Sequence, residues 1–169
     1  MVVRLKKTQS DDLNFVLRAE QSEENRPFVV QWSKERHSEA LINENMAHMV
    51  VEAETDGRRV GYVILAGIGD PNQNIEFKRI VIVEKSKGFG RSTVKAVKHY
   101  AFECLGAHRL WLDVLETNRR ARTLYESEGF CFEGLLRECW KTANGYQSLI
   151  LMSILEQEYR SKGCVAKTK

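Results

Sequence analysis

Apolar and polar positions change period several times along the chain, and each change marks an element. Val2–Lys6 alternates as a short strand. Ser10, Asp11 and Asp12 then offer helix-capping side chains ahead of apolar positions at Leu13, Val16 and Leu17. Pro27 breaks the chain, and a second helical stretch is predicted from Ser33 to about Ile42. Met46–Ala53 and Val60–Ala66 are strand-like and flank Asp56-Gly57, a hairpin turn sequence. Gly67–Asn74 is a polar loop, and Ile75–Val83 is a third strand of this run. The period then turns helical, with Val94, Val97, Ala101, Phe102 and Leu105 on one face and Gly106 as the stop. Arg109–Leu115 is largely apolar on both faces, the mark of a central strand. Thr117-Asn118 opens a short helix carrying Ala121, Leu124 and Tyr125 on one face, and Gly129 closes it. Phe130–Trp140 and Tyr146–Leu155, joined around Asn144-Gly145, form a last hairpin.

This order predicts an α/β chain: a mixed, mostly antiparallel sheet with helices on both faces. The sequence has 169 residues, enough to bury a core without staples. No repeat or linker interrupts it, so one domain is expected over residues 1–159, with a charged, frayed tail over 160–169. No apolar run approaches the roughly 20 residues needed to cross a membrane. The first residues, charged at Lys6 and Lys7, do not form a secretion signal, and the expected location is cytoplasmic. Cys104, Cys131, Cys139 and Cys164 form no CxxC pair, and no histidine pair has zinc spacing. They are expected to be small buried hydrophobes or a loose tail thiol, with no metal. A net charge of +3 suits an anionic small ligand but makes no case for nucleic acid, because no basic stretch interleaves aromatics.

The most informative segment is a strand followed by Gly88-Phe89-Gly90 and a helix. Glycines let the backbone turn tightly and approach a ligand closely. The first helical turn adds unpaired N–H groups and a positive dipole end, which suit phosphate or pyrophosphate. Lys85, Lys87 and Arg91 add charge there. The turn is not a P-loop, since Arg91 and Ser92 follow Gly90 where Lys and Ser/Thr are required. A dinucleotide fingerprint needs a third glycine where Thr93 stands. An ordinary strand-to-helix turn with solvated lysines is the plainer alternative.

These residues resemble the GNAT superfamily of acyl-CoA N-acyltransferases. Its Gln/Arg-x-x-Gly-x-Gly/Ala signature reads here Lys85-Ser86-Lys87-Gly88-Phe89-Gly90, with lysine at the first position. Leu112-Asp113-Val114, Asn118, Ala121, Leu124-Tyr125 and Gly129-Phe130 match a second block at its usual spacing. Glu133-Gly134 and Arg137-Glu138, followed by Leu149–Leu155, are similar to the ribosomal-protein and polyamine acetyltransferase branches. Ser148 stands where those branches often have Asp.

The resemblance implies acetyl-CoA as co-substrate and direct attack by an amine, from a polyamine or other small amine or from a protein N-terminus. It implies that the pantetheine arm lies between two splayed strands and pairs with the backbone of Ile80, Val81 and Ile82. Backbone amides of Lys87, Gly88, Phe89, Gly90, Arg91 and Ser92 would hold the pyrophosphate. Asn118 would hydrogen-bond the pantetheine, or serve as a helix N-cap. Tyr125, on the helix face turned to the cofactor, would protonate the departing thiolate; otherwise it is a core aromatic. Phe28, Trp32 and His37 fall where the family shapes its acceptor site. Dimers are common in the family, but no segment here declares an interface.

The chemistry also needs a base, because a lysine-like amine has a pKa of about 10.4. Glu76 is the candidate. Strand alternation puts it on a face with Lys78, Ile80 and Ile82, about 13 Å before Ile80 at ~3.3 Å per residue. A solvated carboxylate paired with Lys78, or a water relay, is the alternative. Glu20, Glu23, Glu24 and Glu35 give the N-terminal third an acidic cast suited to polyamines, which a charged surface explains equally well. A non-catalytic acetyl-CoA sensor would keep Gly88, Gly90 and Asn118 but have no need of Glu76 or Tyr125.

Overall fold

A computed structural model describes residues 2–161. Seven strands form one sheet: β1 (Val3–Lys7), β2 (Met46–Ala53), β3 (Arg59–Ala66), β4 (Asn74–Ile82), β5 (Arg109–Leu115), β6 (Cys131–Thr142) and β7 (Gly145–Leu155). Their spatial order is β1-β2-β3-β4-β5-β7-β6. Every neighbouring pair is antiparallel except β4 and β5. The helices are α1 (Leu13–Gln21), α2 (Lys34–Ile42), α3 (Phe89–His99), α4 (Arg119–Ser127) and α5 (Glu156–Arg160).

Strand alternation sorts the apolar residues of the sheet into two cores. Val63, Leu65, Ile75, Phe77, Leu110, Leu112 and Met152 meet α3 through Val94 and Val97, and α4 through Tyr125. Tyr62, Ile64 and Val81 face the other way and meet Val16 and Ala19 of α1, Ala40 of α2, and Trp32. The mixed sheet with helices on both faces is the architecture expected from the pattern.

Local chemistry sets most ends. Ser33 caps α2 by accepting from the Arg36 N–H at 3.2 Å. Helix α3 widens into a π turn over Tyr100–Cys104 and stops at Gly106, whose φ of +66° is left-handed. The short helix α5 was not anticipated; Arg160 at its end pairs with Glu156 at 2.8 Å and Glu103 at 3.6 Å. The rest of the expected tail lies outside the described residues. Cys104 and Cys139 are exposed rather than buried, a correction to the expectation for them. No helix among the described residues is long and apolar enough to cross a membrane.

Two irregularities shape the site. Strand β4 pairs with β5 only through Asn74–Arg109, Ile75–Leu110 and Glu76–Trp111, and beyond that point the two strands part. On its other edge β4 carries a bulge: Ile64 faces Arg79 and Ala66 faces Glu76, so Phe77 and Lys78 together oppose one residue of β3.

Candidate active site

The parting of β4 and β5 opens a cleft of about 1030 Å³, walled by both strands, α4, the loop before α2 and the β6–β7 hairpin. At one end stand Ser86, Gly88, Gly90, Arg91, Arg119 and Arg120, and at the other Glu76, Asp113, Phe28, Trp32, Arg36 and Arg79.

The glycine end is built as an anion seat. Gly88 caps α3 with φ +81°, a left-handed conformation that costs a side-chain-bearing residue. The Ser92 N–H is already bonded to the Gly88 carbonyl at 3.1 Å. Helix geometry therefore leaves the N–H groups of Phe89, Gly90 and Arg91 as donors, so Ser92 does not fit the amide role expected for it. The Phe89 side chain itself is core. Lys87 turns to Glu84 at 2.9 Å and does not line the cleft. Arg120 reaches Ser86 Oγ at 3.4 Å, and Lys85 donates to the Glu24 carbonyl at 2.9 Å across the cleft mouth.

Between the ends runs the free edge of β4. The Val83 N–H donates to Val60 at 2.9 Å, so antiparallel alternation directs the backbone of Val81 toward β3 as well. Ile80 and Ile82 therefore present N–H and C=O to the gap, where the Ile82 carbonyl already accepts from Asn25 Nδ2 at 3.3 Å. Val81 does not, and its side chain is buried in the α1–α2 core. Asn118 does two jobs of position: its Oδ1 accepts from the Ala121 N–H at 3.2 Å as the α4 cap, and the residue lines the cleft.

At the fork the bulge corrects the alternation assumed for Glu76. Ile75 and Phe77 share a face with Ile80 and Ile82, whereas Glu76 lies with Arg79 and Val81 on the α1–α2 side. Glu76 still lines the cleft, and both its oxygens receive Lys78 Nζ at 3.2 Å. Opposite it on β5 is Trp111, and two residues on, hence on the same face, stands Asp113. Asp113 is open to the cleft, yet crowding atoms desolvate it and nearby Glu76 adds negative charge. Together they raise its pKa against a smaller pull from Lys78. Sequence reasoning gave Asp113 no chemical role, although a lone carboxylate within Leu110–Leu115 was a visible signal.

Tyr125 is 6% exposed and lines the cleft from α4. Burial, and then the charge of Asp113, raise its pKa well above that of a free phenol. The acceptor wall is formed by Phe28, which is exposed, and Trp32, which is buried. The Trp32 ring carries Arg36 at 4.2 Å and Arg79 at 4.3 Å from its centroid. His37 does not reach the cleft. It is fully buried behind Trp32, with its ring centroid 5.3 Å from that of the tryptophan. Glu20 is also fully buried and so forms no part of an acidic surface, whereas Glu24 lines the cleft.

On the β6–β7 side, Arg137, Glu138 and Cys139 together oppose Ser148, whose Oγ accepts from the Glu138 N–H at 3.0 Å. That bulge accompanies the turn of Cys139 and Trp140 into the cleft.

A sheet with one parallel pair that splays beside a glycine-capped helix is the arrangement that the resemblance to acyl-CoA N-acyltransferases implies. The profile of the acetyltransferase (GNAT) family matches residues 16–130, and the chain belongs to that family. It is an acetyl-CoA-dependent N-acetyltransferase. The chain is 31% identical over 122 residues to a spermidine N(1)-acetyltransferase of Vibrio cholerae, covering 72% of this chain and 70% of that one. It is 31% identical over 103 residues to an uncharacterized N-acetyltransferase of Mycobacterium tuberculosis, covering 60% and 64%. The crystal structure of the Vibrio cholerae spermidine N-acetyltransferase in complex with CoA and spermine superposes with a TM-score of 0.84. That match has 26% identity and spans 94% of this chain and 98% of the other.

Proposed function

We propose that the chain acetylates a primary amine of a polyamine by direct attack on acetyl-CoA held in the cleft. The observation that carries this is the pair Glu76 and Asp113, two carboxylates on one face at the fork. A cationic amine is drawn to such a pair. Similarity to spermidine acetyltransferases supports a polyamine over a protein N-terminus.

The cleft fits acetyl-CoA in three respects: the left-handed cap and free N–H groups at Gly88–Arg91, the exposed β4 edge at Ile80 and Ile82, and the arginines at the glycine end. The acceptor ammonium gives one proton to the Glu76–Asp113 pair. Burial, and then the charge of Glu76, raise the proton affinity of Asp113, which makes it a better base than a lone surface carboxylate. The neutral nitrogen then adds to the thioester carbon. As the carbon–sulfur bond breaks, Tyr125 gives its proton to the leaving thiolate, and the second amine proton passes through water to restore the phenol. Asp113 couples these steps. Once protonated, it no longer opposes ionisation of Tyr125, so the phenol becomes a better acid when the thiolate forms.

The reading is tested by following thiol release from acetyl-CoA with spermidine, with spermine and with a peptide bearing a free N-terminus. Release that depends on spermidine or spermine is expected. A higher kcat/KM for the peptide would end the polyamine assignment.

A further inference from the structure

Behind the acceptor wall lies a buried polar network that the proposed chemistry does not use. Its centre is Glu20, on the last turn of α1, which is 0% exposed. A carboxylate at such a site is costly unless donors surround it. Here the Tyr62 hydroxyl and the Arg79 guanidinium donate to Oε1, and the Trp32 backbone N–H donates to Oε2 at 3.1 Å. His37 Nε2 sits 3.2 Å from Oε1. His37 is itself fixed from behind, its Nδ1 being 3.0 Å from His48 Nε2, and His48 Nδ1 is 2.9 Å from Thr8 Oγ1. The contacts bring together β2, β3, β4, α1, α2 and Thr8, the residue that follows β1.

Two consequences reach the cleft. First, Glu20 and Trp32 are the two ends of the loop that supplies Glu24, Asn25, Phe28, Val29 and Val30 to the cleft wall. The bond from Trp32 to Glu20 closes that loop, and Gln31 Nε2 reinforces it by donating to the Glu20 carbonyl at 3.2 Å. Second, Arg79 lines the cleft on the same face as Glu76, and Glu20 is its counter-ion. Without that counter-ion the guanidinium would stand as an unbalanced positive charge beside the carboxylate pair. It would then oppose entry of a cation.

We infer that Glu20 is a positioning residue for the acceptor: by closing the loop and cancelling Arg79 it sets the affinity for cationic amines, not the binding of acetyl-CoA. This rests on the reading that the acceptor is a polyamine. The test is steady-state kinetics on Glu20→Gln, with spermidine and a monoamine as acceptors and acetyl-CoA affinity measured by calorimetry. The KM for spermidine is expected to rise tenfold or more, and by a larger factor than that for the monoamine. The kcat should stay within threefold and acetyl-CoA affinity within twofold. Adding Arg79→Gln should bring the spermidine KM back down at least threefold from the single variant. A parallel fall in kcat and acetyl-CoA affinity without that rescue would make Glu20 merely structural. An unchanged KM would also overturn the inference. If Glu20→Gln does not fold, Glu20→Asp replaces it. That variant keeps the charge but draws the carboxylate back from the Trp32 N–H and from Arg79, and its spermidine KM should rise at least threefold; an unchanged value overturns the inference. Wild-type protein that binds acetyl-CoA but acetylates no polyamine would instead refute the parent reading, and this inference with it.

Discussion

Glu76 and Trp111 are the last residues that pair across β4 and β5 before the strands part. That one contact fixes the site. It places Glu76 at the apex of the fork and, through the alternation of β5, turns Asp113 to the same face. The cleft, the exposed edge of β4 and the acid pair all follow from where this pairing ends.

Tyr125→Phe removes the proposed proton donor while keeping the ring that packs near Phe77 and Phe130. A fall in kcat of ~10²-fold is expected, in the usual range for a lost general acid. Acetyl-CoA affinity by calorimetry should not change. Undiminished turnover would leave Tyr125 as a core aromatic only.

Asp113 must be ionised to take a proton, so kcat should fall as pH drops through its raised pKa. In Asp113→Asn that acid limb should move to lower pH and kcat should drop at neutral pH. Stability should go the other way. A carboxyl whose pKa is raised by folding becomes a destabilising charge as pH rises past that value, so the asparagine variant should melt no lower than wild type at pH 7. A matching acid limb in the two proteins would remove Asp113 from the proton path.

Gly88→Ala introduces a side chain at φ +81° in otherwise open space. The strain of roughly 1–2 kcal/mol comes from the backbone alone. Relieving it means turning the first N–H groups of α3 away from the pyrophosphate position, and acetyl-CoA should bind about tenfold more weakly. Wild-type affinity in the calorimeter would place the phosphate elsewhere.

His48 is held neutral by burial, and then by the charges of His37 and Arg79, down to a pKa of about 3, against 6.5 when free. Below 6.5 the unfolded chain therefore binds a proton that the folded chain refuses. Between pH 7 and 5 the unfolding free energy should fall, with a slope approaching ~1.4 kcal/mol per pH unit for this one group. His48→Gln should flatten that slope. Equal slopes in denaturant titrations of both proteins would show that His48 does not resist protonation.

The strands and helices were legible because their apolar periods are clean and their stops are glycines. Gly88 and Gly106 announce their left-handed positions directly. The bulge at Phe77 and Lys78 was not legible, since neither residue is a turn former and the extra residue shows only against β3. It reversed the face inferred for Glu76. The fate of His37 was hidden for another reason. Its neighbours are His48, 11 residues away, and Glu20, whose own partner Arg79 lies 59 residues from Glu20, and no spacing rule links them. Lys87 looked like phosphate charge in the sequence, but Glu84, three residues earlier, takes it. Asp113 was readable as a carboxylate inside an apolar strand, but it entered only as part of a family block and was given no chemical role.

The most direct measurement is mass spectrometry of spermidine after incubation with acetyl-CoA and protein, comparing wild type with the double variant Glu76→Gln/Asp113→Asn. Singly acetylated spermidine is expected from the wild type, with its formation slowed at least ~10²-fold in the double variant. Acetylation at the wild-type rate in the double variant, or none by the wild type, would contradict a polyamine acetyltransferase that works through the carboxylate pair at the fork.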